Sequence, residues 1–436
     1  SGLPIMREPV YKKRRIAPAA AAFDQHCSRI NDFIVVTEAN SNVYLIETPA
    51  GGILINTGMG FETPVIDHNL RKFSQVPIRY VISTQGHVDH VGGVQYFRNQ
   101  YPDLQYIATT ANEEHQSYDA RVQKFRAARS AFRFQDDFIK VFGDYAKSGY
   151  TKINAQDRPV ADIAFDKRYE FSLGGLDVVL MAVPGAETND SLIVWLPQHK
   201  IVLTGNLFGC PFGHFPNLVT VRGDRYRDAL TCAAAAQTVL DLNADLLLYG
   251  HHEPVVGAEV IRAEVTAYRD AVLYVHDEVV KGMNAGKDLY TLQQEITLPA
   301  ECEIGQGYGK ISWSIRAIWE NYAGWFKHES TTELYSVPQK DIHADLVELA
   351  GADALIERAR QKYLAGMNEE ALHLLDIVRH AEPDHAGAAA LAIEVHENLL
   401  EDAKTFCTTG NFWLVGWLQN QIKLLKGGVT APLSFK

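Results

Sequence analysis

The sequence is poor in cysteine, in basic charge and in long apolar runs. Its five cysteines (Cys27, Cys210, Cys232, Cys302, Cys407) are scattered, odd in number and form no C-x-x-C pair. That excludes a disulfide framework and a zinc ribbon. Against 53 acidic residues stand 41 basic ones, a net charge of −12. A nucleic-acid partner is not expected, because such proteins present a basic face. No apolar run approaches the ~20 residues of a membrane span. What is present is the composition of a folded soluble protein, 47% apolar and 22% charged. A length of 436 residues implies two or three domains. Sixteen histidines, several of them clustered, are the strongest chemical lead.

Residues 1–29 read as an N-terminal arm. Ser1-Gly2 stands in place of an initiator Met, which leaves any original targeting segment open. Lys12-Lys13-Arg14-Arg15 and the small residues after it lack the apolar core of a signal peptide, so they read as a surface arm. The expected compartment is the cytoplasm, with periplasm or secretion left open.

From 30 to 330 short apolar runs alternate with helical patterns. Residues 33–37, 43–48, 52–55, 78–83 and 105–109 read as strands, as do 169–173, 176–183, 191–196, 200–204 and 246–249. Helices are expected over 62–73, 94–100, 224–241, 258–283 and 310–327. Residues 110–148, charged and aromatic, look like a mostly helical insertion. Its Phe125, Phe132, Phe134, Phe138, Phe142 and Tyr145 suit plain packing better than a substrate wall. The order predicts an α/β fold, an αββα sandwich whose strand-end loops carry the chemistry. Pro338 marks a polar linker over 330–340. Residues 341–402 are Ala-, Leu- and Glu-rich and resemble one or two tetratricopeptide-type repeats, so 341–436 predict a small all-α module.

One segment decides the chemistry. Thr84-Gln85-Gly86-His87-Val88-Asp89-His90-Val91-Gly92-Gly93 follows an apolar strand. Two imidazoles and a carboxylate within four residues are metal-ligand spacing, suited to zinc, iron or manganese. The glycines are expected to let the backbone turn sharply.

This segment resembles the His-x-His-x-Asp-His motif of the metallo-β-lactamase superfamily, with Gln85 in place of the first His. Further stretches narrow the resemblance to the alkylsulfatase branch. These are Pro184-Gly185-Ala186-Glu187-Thr188, Asn217-Leu218-Val219-Thr220-Val221-Arg222-Gly223, Tyr249-Gly250-His251-His252-Glu253-Pro254 and Asn321-Tyr322-Ala323-Gly324-Trp325-Phe326. The helical module resembles that branch's dimerisation domain, and the sequence stops where the branch usually continues into a sterol-carrier-like domain.

The resemblance implies a metal-dependent hydrolase that cleaves a sulfate ester, or another ester with an apolar tail. His87 and Glu187 would bind a first metal, with Gln85 as a weak neutral ligand. Asp89, His90 and His251 would bind a second, and Asp89 would also orient the attacking water. Asn217 and Arg222 would take the sulfate. Asn56 stands where a supporting Asp is usual. Thr204-Gly205-Asn206 lacks the acid that normally bridges the metals, so one firm metal and a second weak or absent one are expected, zinc first. His214 is read as a loop histidine rather than a replacement ligand, and His252 as supporting rather than ligating. The implied partners are a small anionic or ester substrate and a second copy of the chain, joined through the C-terminal helices. Two alternatives stay open: an iron-dependent redox enzyme on the same fold, and a scaffold with a decayed metal site.

Overall fold

The computed structural model describes residues 8–13, 19–210 and 212–428. It divides the chain into two units, one of residues 1–126 and 136–321, the other of 127–135 and 322–436.

The first unit is built on two sheets. Strands β1 (Cys27–Arg29), β2 (Ile34–Thr37), β3 (Val43–Thr48), β4 (Gly51–Ile55), β5 (Ile78–Ile82), β6 (Gln105–Thr109) and β7 (Ile163–Phe165) lie side by side in sequence order. They are antiparallel up to β4 and parallel from β4 to β7. The second sheet runs β13-β12-β11-β10-β9-β8, from β8 (Arg168–Leu173), β9 (Leu176–Ala182), β10 (Leu192–Leu196), β11 (Ile201–Gly205), β12 (Leu246–Tyr249) and β13 (Val255–Val256). Only β11 and β12 are parallel there.

Side-chain alternation explains the layering. Ile34, Ile46, Ile53 and Ile82 of the first sheet share one core with Val178, Leu180, Val194 and Leu203 of the second. Their neighbours point the other way, as strand pleating requires. Val35, Leu45, Leu54 and Val81 pack on Val65, Ile66, Leu70 and Phe97, from the helices Thr63–Arg71 and Val94–Gln100. Ile193, Val202 and Leu247 pack on Ala236, Val265 and Val272, from the helices Ala229–Asp241 and Ala258–Asn284. The order is therefore helix, sheet, sheet, helix, as expected. Each of these Ile, Leu or Val side chains contributes roughly 1.5–3 kcal/mol by burial.

Some local expectations shift. The helix expected from 224 begins at Ala229, because Asp228 caps it by accepting the Thr231 amide at 2.9 Å. The short strand β7 escaped notice because three residues carry too little pattern. The N-terminal segment is docked rather than a bare surface arm. Tyr11 is buried and its hydroxyl donates to Glu303 Oε1 at 2.8 Å, while the Val10 amide donates to Glu264 Oε1 at 3.0 Å. Arg14, Arg15 and the small residues of 16–18 lie outside the described residues.

The second unit holds the helices His343–Ala350, Ala352–Leu364, Asn368–Ala381, Ala386–Thr405 and Phe412–Leu425. Ala359, Ala371, Ala388 and Ala392 let the helices approach around Leu375, Val378, Leu391 and Val395. Residues 127–135, from the helix Gln123–Lys147, belong to this unit. There Phe132 packs edge-on against Trp413 and Trp417. In the first unit Phe138 and Phe142 pack against Phe61. Phe132, Phe138 and Phe142 of the aromatic stripe thus pack within their units, while Phe125 is exposed.

Candidate metal centre and anion loop

The C-terminal ends of β4 and β5, parallel in one sheet, meet those of β11 and β12, parallel in the other: Asn206 Nδ2 lies 3.2 Å from His90 Nε2, and Ser41 Oγ 3.3 Å from the Gly250 carbonyl. Outside such ends α/β proteins place their ligands. Here the ends run into Asn56-Thr57, Ser83 to His90, Asn206 and Gly250-His251-His252.

Asn56 adopts a left-handed φ of 63°, a conformation Asn tolerates better than most residues. Its side chain accepts the Thr84 amide at 2.9 Å and donates to Thr84 Oγ1 at 3.1 Å. It thereby pins the residue before Gln85. Gly92 and Gly93 do not supply the sharp turn expected of them, since their φ values are −66° and −113°. They serve close packing instead. A Cβ on Gly93 would fall 2.2 Å from Thr63 Oγ1, and one on Gly92 2.4 Å from the Gly60 nitrogen.

Asp89, half-buried, lies at this edge with the buried His90 and His251. Asp89 Oδ1 lies 3.4 Å from His90 Nε2. Burial alone would raise the Asp89 carboxyl, but His90, His87 and His251 hold it below the usual range. Burial lowers His90, an effect Asp89 only partly offsets, and pushes His251 down to about 3. The trio therefore stands as one carboxylate and two neutral imidazoles, the protonation states that bind metal. His251 Nδ1 is buried without a hydrogen-bond partner. Asn206 follows Gly205, where the acid was expected. Its Nδ2 lies 3.2 Å from His90 Nε2, and its Oδ1 is buried without a partner. Two imidazoles, a carboxylate and an orphaned amide oxygen are donors of the kind a single divalent cation takes, but the ligand atoms of Asp89, His90 and His251 do not all lie within 4.8 Å of one another as they stand. Ser41 Oγ lies 3.4 Å from His90 Nδ1 and 3.3 Å from the Gly250 carbonyl, tying the two sheets together at this point.

The residues expected at the first metal are engaged differently. Gln85 Nε2 lies 2.7 Å from His87 Nδ1, and His87 Nε2 lies 3.0 Å from Asp224 Oδ2. With the proton on Nε2, both contacts are satisfied at once. Burial and Arg222 oppose a charge on His87, but Asp224 outweighs them and raises its pKa. Burial would likewise raise Asp224, yet the His87 hydrogen bond and nearby Arg222 and Arg227 hold it far below the usual carboxylate range. Glu187 pairs with Arg227, NH1 to Oε2 at 3.1 Å and NH2 to Oε1 at 3.3 Å. Every donor of the expected first site is thus already bonded within the protein, and this half does not fit a metal as it stands.

Arg222 leans on the same network, 3.2 Å from His87 Nε2 and 3.4 Å from Asp224 Oδ2. Asn217, in the same loop, holds its Nδ2 buried without a partner. Its carbonyl accepts from Arg227 at 3.0 Å. His214 lies in the core and not at the metal edge, while His252 holds Asn42 Nδ2 through its carbonyl at 2.8 Å.

Sequence reasoning missed four residues here. Asp224 follows Arg222-Gly223, and Arg227 lies five positions beyond Arg222; neither offers a motif. His115 and Asp119, four apart on the helix Asn112–Arg121, carried a signal, since i and i+4 share a helix face. Among the described residues, His87, His115 and Asp119 form a set of metal-capable side chains whose ligand atoms lie within 4.8 Å of one another.

The fold and edge define the class, and comparison with known proteins names it. Residues 36–251 match the metallo-β-lactamase superfamily, and residues 292–420 match the alkyl sulfatase dimerisation domain. The chain is a metallo-β-lactamase domain followed by an alkylsulfatase dimerisation domain. It is similar to the linear primary-alkylsulfatase of a Pseudomonas species, 26% identical over 342 residues, covering 74% of this chain and 63% of that protein. It is also similar to an alkyl/aryl-sulfatase of Saccharomyces cerevisiae, 25% identical over 399 residues, covering 87% and 61%. The solved stereoselective inverting sec-alkylsulfatase of a Pseudomonas species shares the fold, with a TM-score of 0.78 at 22% identity, covering 94% of this chain and 66% of that one. The chain thus spans about three fifths of the length of these two curated relatives. The superfamily implies a metal cofactor. No helix among the described residues is long and apolar enough to cross a membrane.

Proposed function

We propose that the chain is a metal-dependent hydrolase of the alkylsulfatase type, cleaving a sulfate ester that carries an apolar tail. The observation that carries this reading is the loop of Asn217 and Arg222. It holds a buried, unpartnered amide donor on Asn217 and a guanidinium on Arg222, 3.2 Å from His87 Nε2. A planar fork of N–H donors suits a tetrahedral anion.

Asp89, His90 and His251 would hold one zinc ion, with Asn206 as the neighbouring amide. Bound there, zinc supplies Lewis acidity and a water acidified toward neutrality. Arg222 and Asn217 receive the sulfate group, and Asp89 orients the attacking water. Asp224, which accepts from His87 at 3.0 Å and from Arg222 at 3.4 Å, keeps Arg222 in place. Sulfate release from medium-chain alkyl sulfates by the zinc-loaded protein tests this. No release from any chain length would sink the sulfatase reading.

One observation favours a second reading. Two histidines and one carboxylate also form the ligand set of non-haem iron oxygenases. Iron in place of zinc in the purified protein would favour redox chemistry, and no stoichiometric metal would favour a scaffold.

The dimerisation domain supports a homodimer through the C-terminal helices. Leu349, Leu364 and Trp417 of that unit expose apolar surface. Light scattering after gel filtration checks it. For the compartment we carry forward the cytoplasm, supported by five cysteines that all stand free. Appearance of the protein in a periplasmic or secreted fraction would overturn it.

A further inference from the structure

His115 is the least explained polar side chain in the first unit. It is 3% exposed, and neither ring nitrogen has a hydrogen-bond partner. A buried imidazole without partners costs free energy comparable to lost hydrogen bonds, so a group that bonds it there is favoured. Its ring centroid lies 4.9 Å from that of His87. Asp119, one turn along the same helix, brings Oδ2 to 4.0 Å from His115 Nε2.

We propose that His87, His115 and Asp119 form a second, displaced cation site that takes a zinc-class divalent ion. The three ligand atoms lie within 4.8 Å of one another. Around tetrahedral zinc, bonds of about 2.0–2.2 Å place ligand atoms roughly 3.4 Å apart. Side-chain movements of about an ångström close that gap. The i, i+4 spacing fixes His115 and Asp119 on one helix face, a rigid half-site. His87 gives up one of its two present hydrogen bonds, to Gln85 or to Asp224, to complete the set. Arg126 Nε, now 3.5 Å from Asp119 Oδ1, keeps one carboxylate oxygen and leaves the other for the ion. Asp190 and Asp224 add negative charge around the two histidines.

The proposal explains how the chain does without the ligands expected at Gln85 and Gly205. The ion has moved away from the depleted side toward the helix Asn112–Arg121. It goes beyond the Asp89–His90–His251 site and stands without it.

Titration of the chelator-stripped full chain with Co²⁺ and with Zn²⁺ tests it. Visible absorption reports the cobalt geometry, and calorimetry the zinc stoichiometry. Wild type is expected to take two equivalents. His115→Phe keeps the buried ring volume and loses one equivalent. Asp119→Asn, at a partly exposed position, does the same without risk to the core. His251→Ala loses the other equivalent. Far-UV circular dichroism confirms folding of each variant. A wild type that binds one ion, lost in H251A and kept in H115F and D119N, overturns the displaced site and leaves the proposed hydrolase intact. One ion lost in H115F and D119N but kept in H251A supports the displaced site and overturns the hydrolase's. No binding at all overturns both.

Discussion

Acid should destabilise this protein through a buried histidine that the candidate site does not use, His214. His214 is fully buried, with Tyr11 edge-on to its ring at 5.3 Å. Its Nδ1 accepts the Gly307 amide at 2.7 Å, which leaves the proton on Nε2, buried without a partner. Gly305 packs against the ring so closely that a Cβ there would fall 2.6 Å from it. Burial pushes the pKa down to about 3 from 6.5, with His252 adding to it. The folded value is depressed, so the unfolded chain takes up a proton first as pH falls. Stability is therefore complete above 6.5 and is lost progressively from there toward 3. At pH 5 the unfolded chain is favoured by about 2 kcal/mol through this one residue, at roughly 1.36 kcal/mol per pH unit. His214→Asn places an amide oxygen near the position of Nδ1 and keeps the Gly307 bond without a titrating group. The variant loses some stability at pH 8 through the smaller side chain. Its further loss between pH 8 and pH 5 should be smaller than that of wild type by about 2 kcal/mol. Urea unfolding at the two pH values measures this. An unchanged difference between them would refute the burial argument.

Other perturbations follow from the same geometry. Arg227→Met leaves the half-buried Glu187 without its partner, and should cost about 1–3 kcal/mol; adding Glu187→Gln should recover most of it in urea unfolding. Gly250→Ala puts a Cβ 1.8 Å from Asn206 Oδ1, so Asn206 must leave His90, and zinc affinity measured by calorimetry should fall. Arg222→Lys keeps the charge and loses the fork, and should raise KM for an alkyl sulfate about tenfold, near 1.4 kcal/mol, with kcat the less affected constant.

Much of the sandwich was legible because its strands are short apolar runs closed by turn residues. Residues 105–109 and 246–249 were read with the bounds the structure gives them. The histidine loop was legible for the same reason, a strand followed by ligands at fixed spacing. What escaped notice was pairing across the chain. Nothing local says that Glu187 meets Arg227, forty positions on, or that Asp224 fixes the ring of His87. Those contacts arise only when the loop after β11 folds over the β5 end. His115 escaped for a different reason: its helix looked like an insertion, and its buried face shows only once the helix is docked. Tyr11 shows the converse, a basic, exposed-looking segment held by one aromatic side chain.

The central claim is that Asp89, His90 and His251 hold the metal that hydrolysis of a sulfate ester requires. The most direct test is sulfate release from a medium-chain alkyl sulfate, before and after chelation and after zinc is returned. The account predicts that release stops on chelation and recovers with zinc in wild type. In His251→Ala, folded by circular dichroism, the same zinc should restore nothing. Release that survives chelation, or a His251→Ala protein that recovers like wild type, would contradict it.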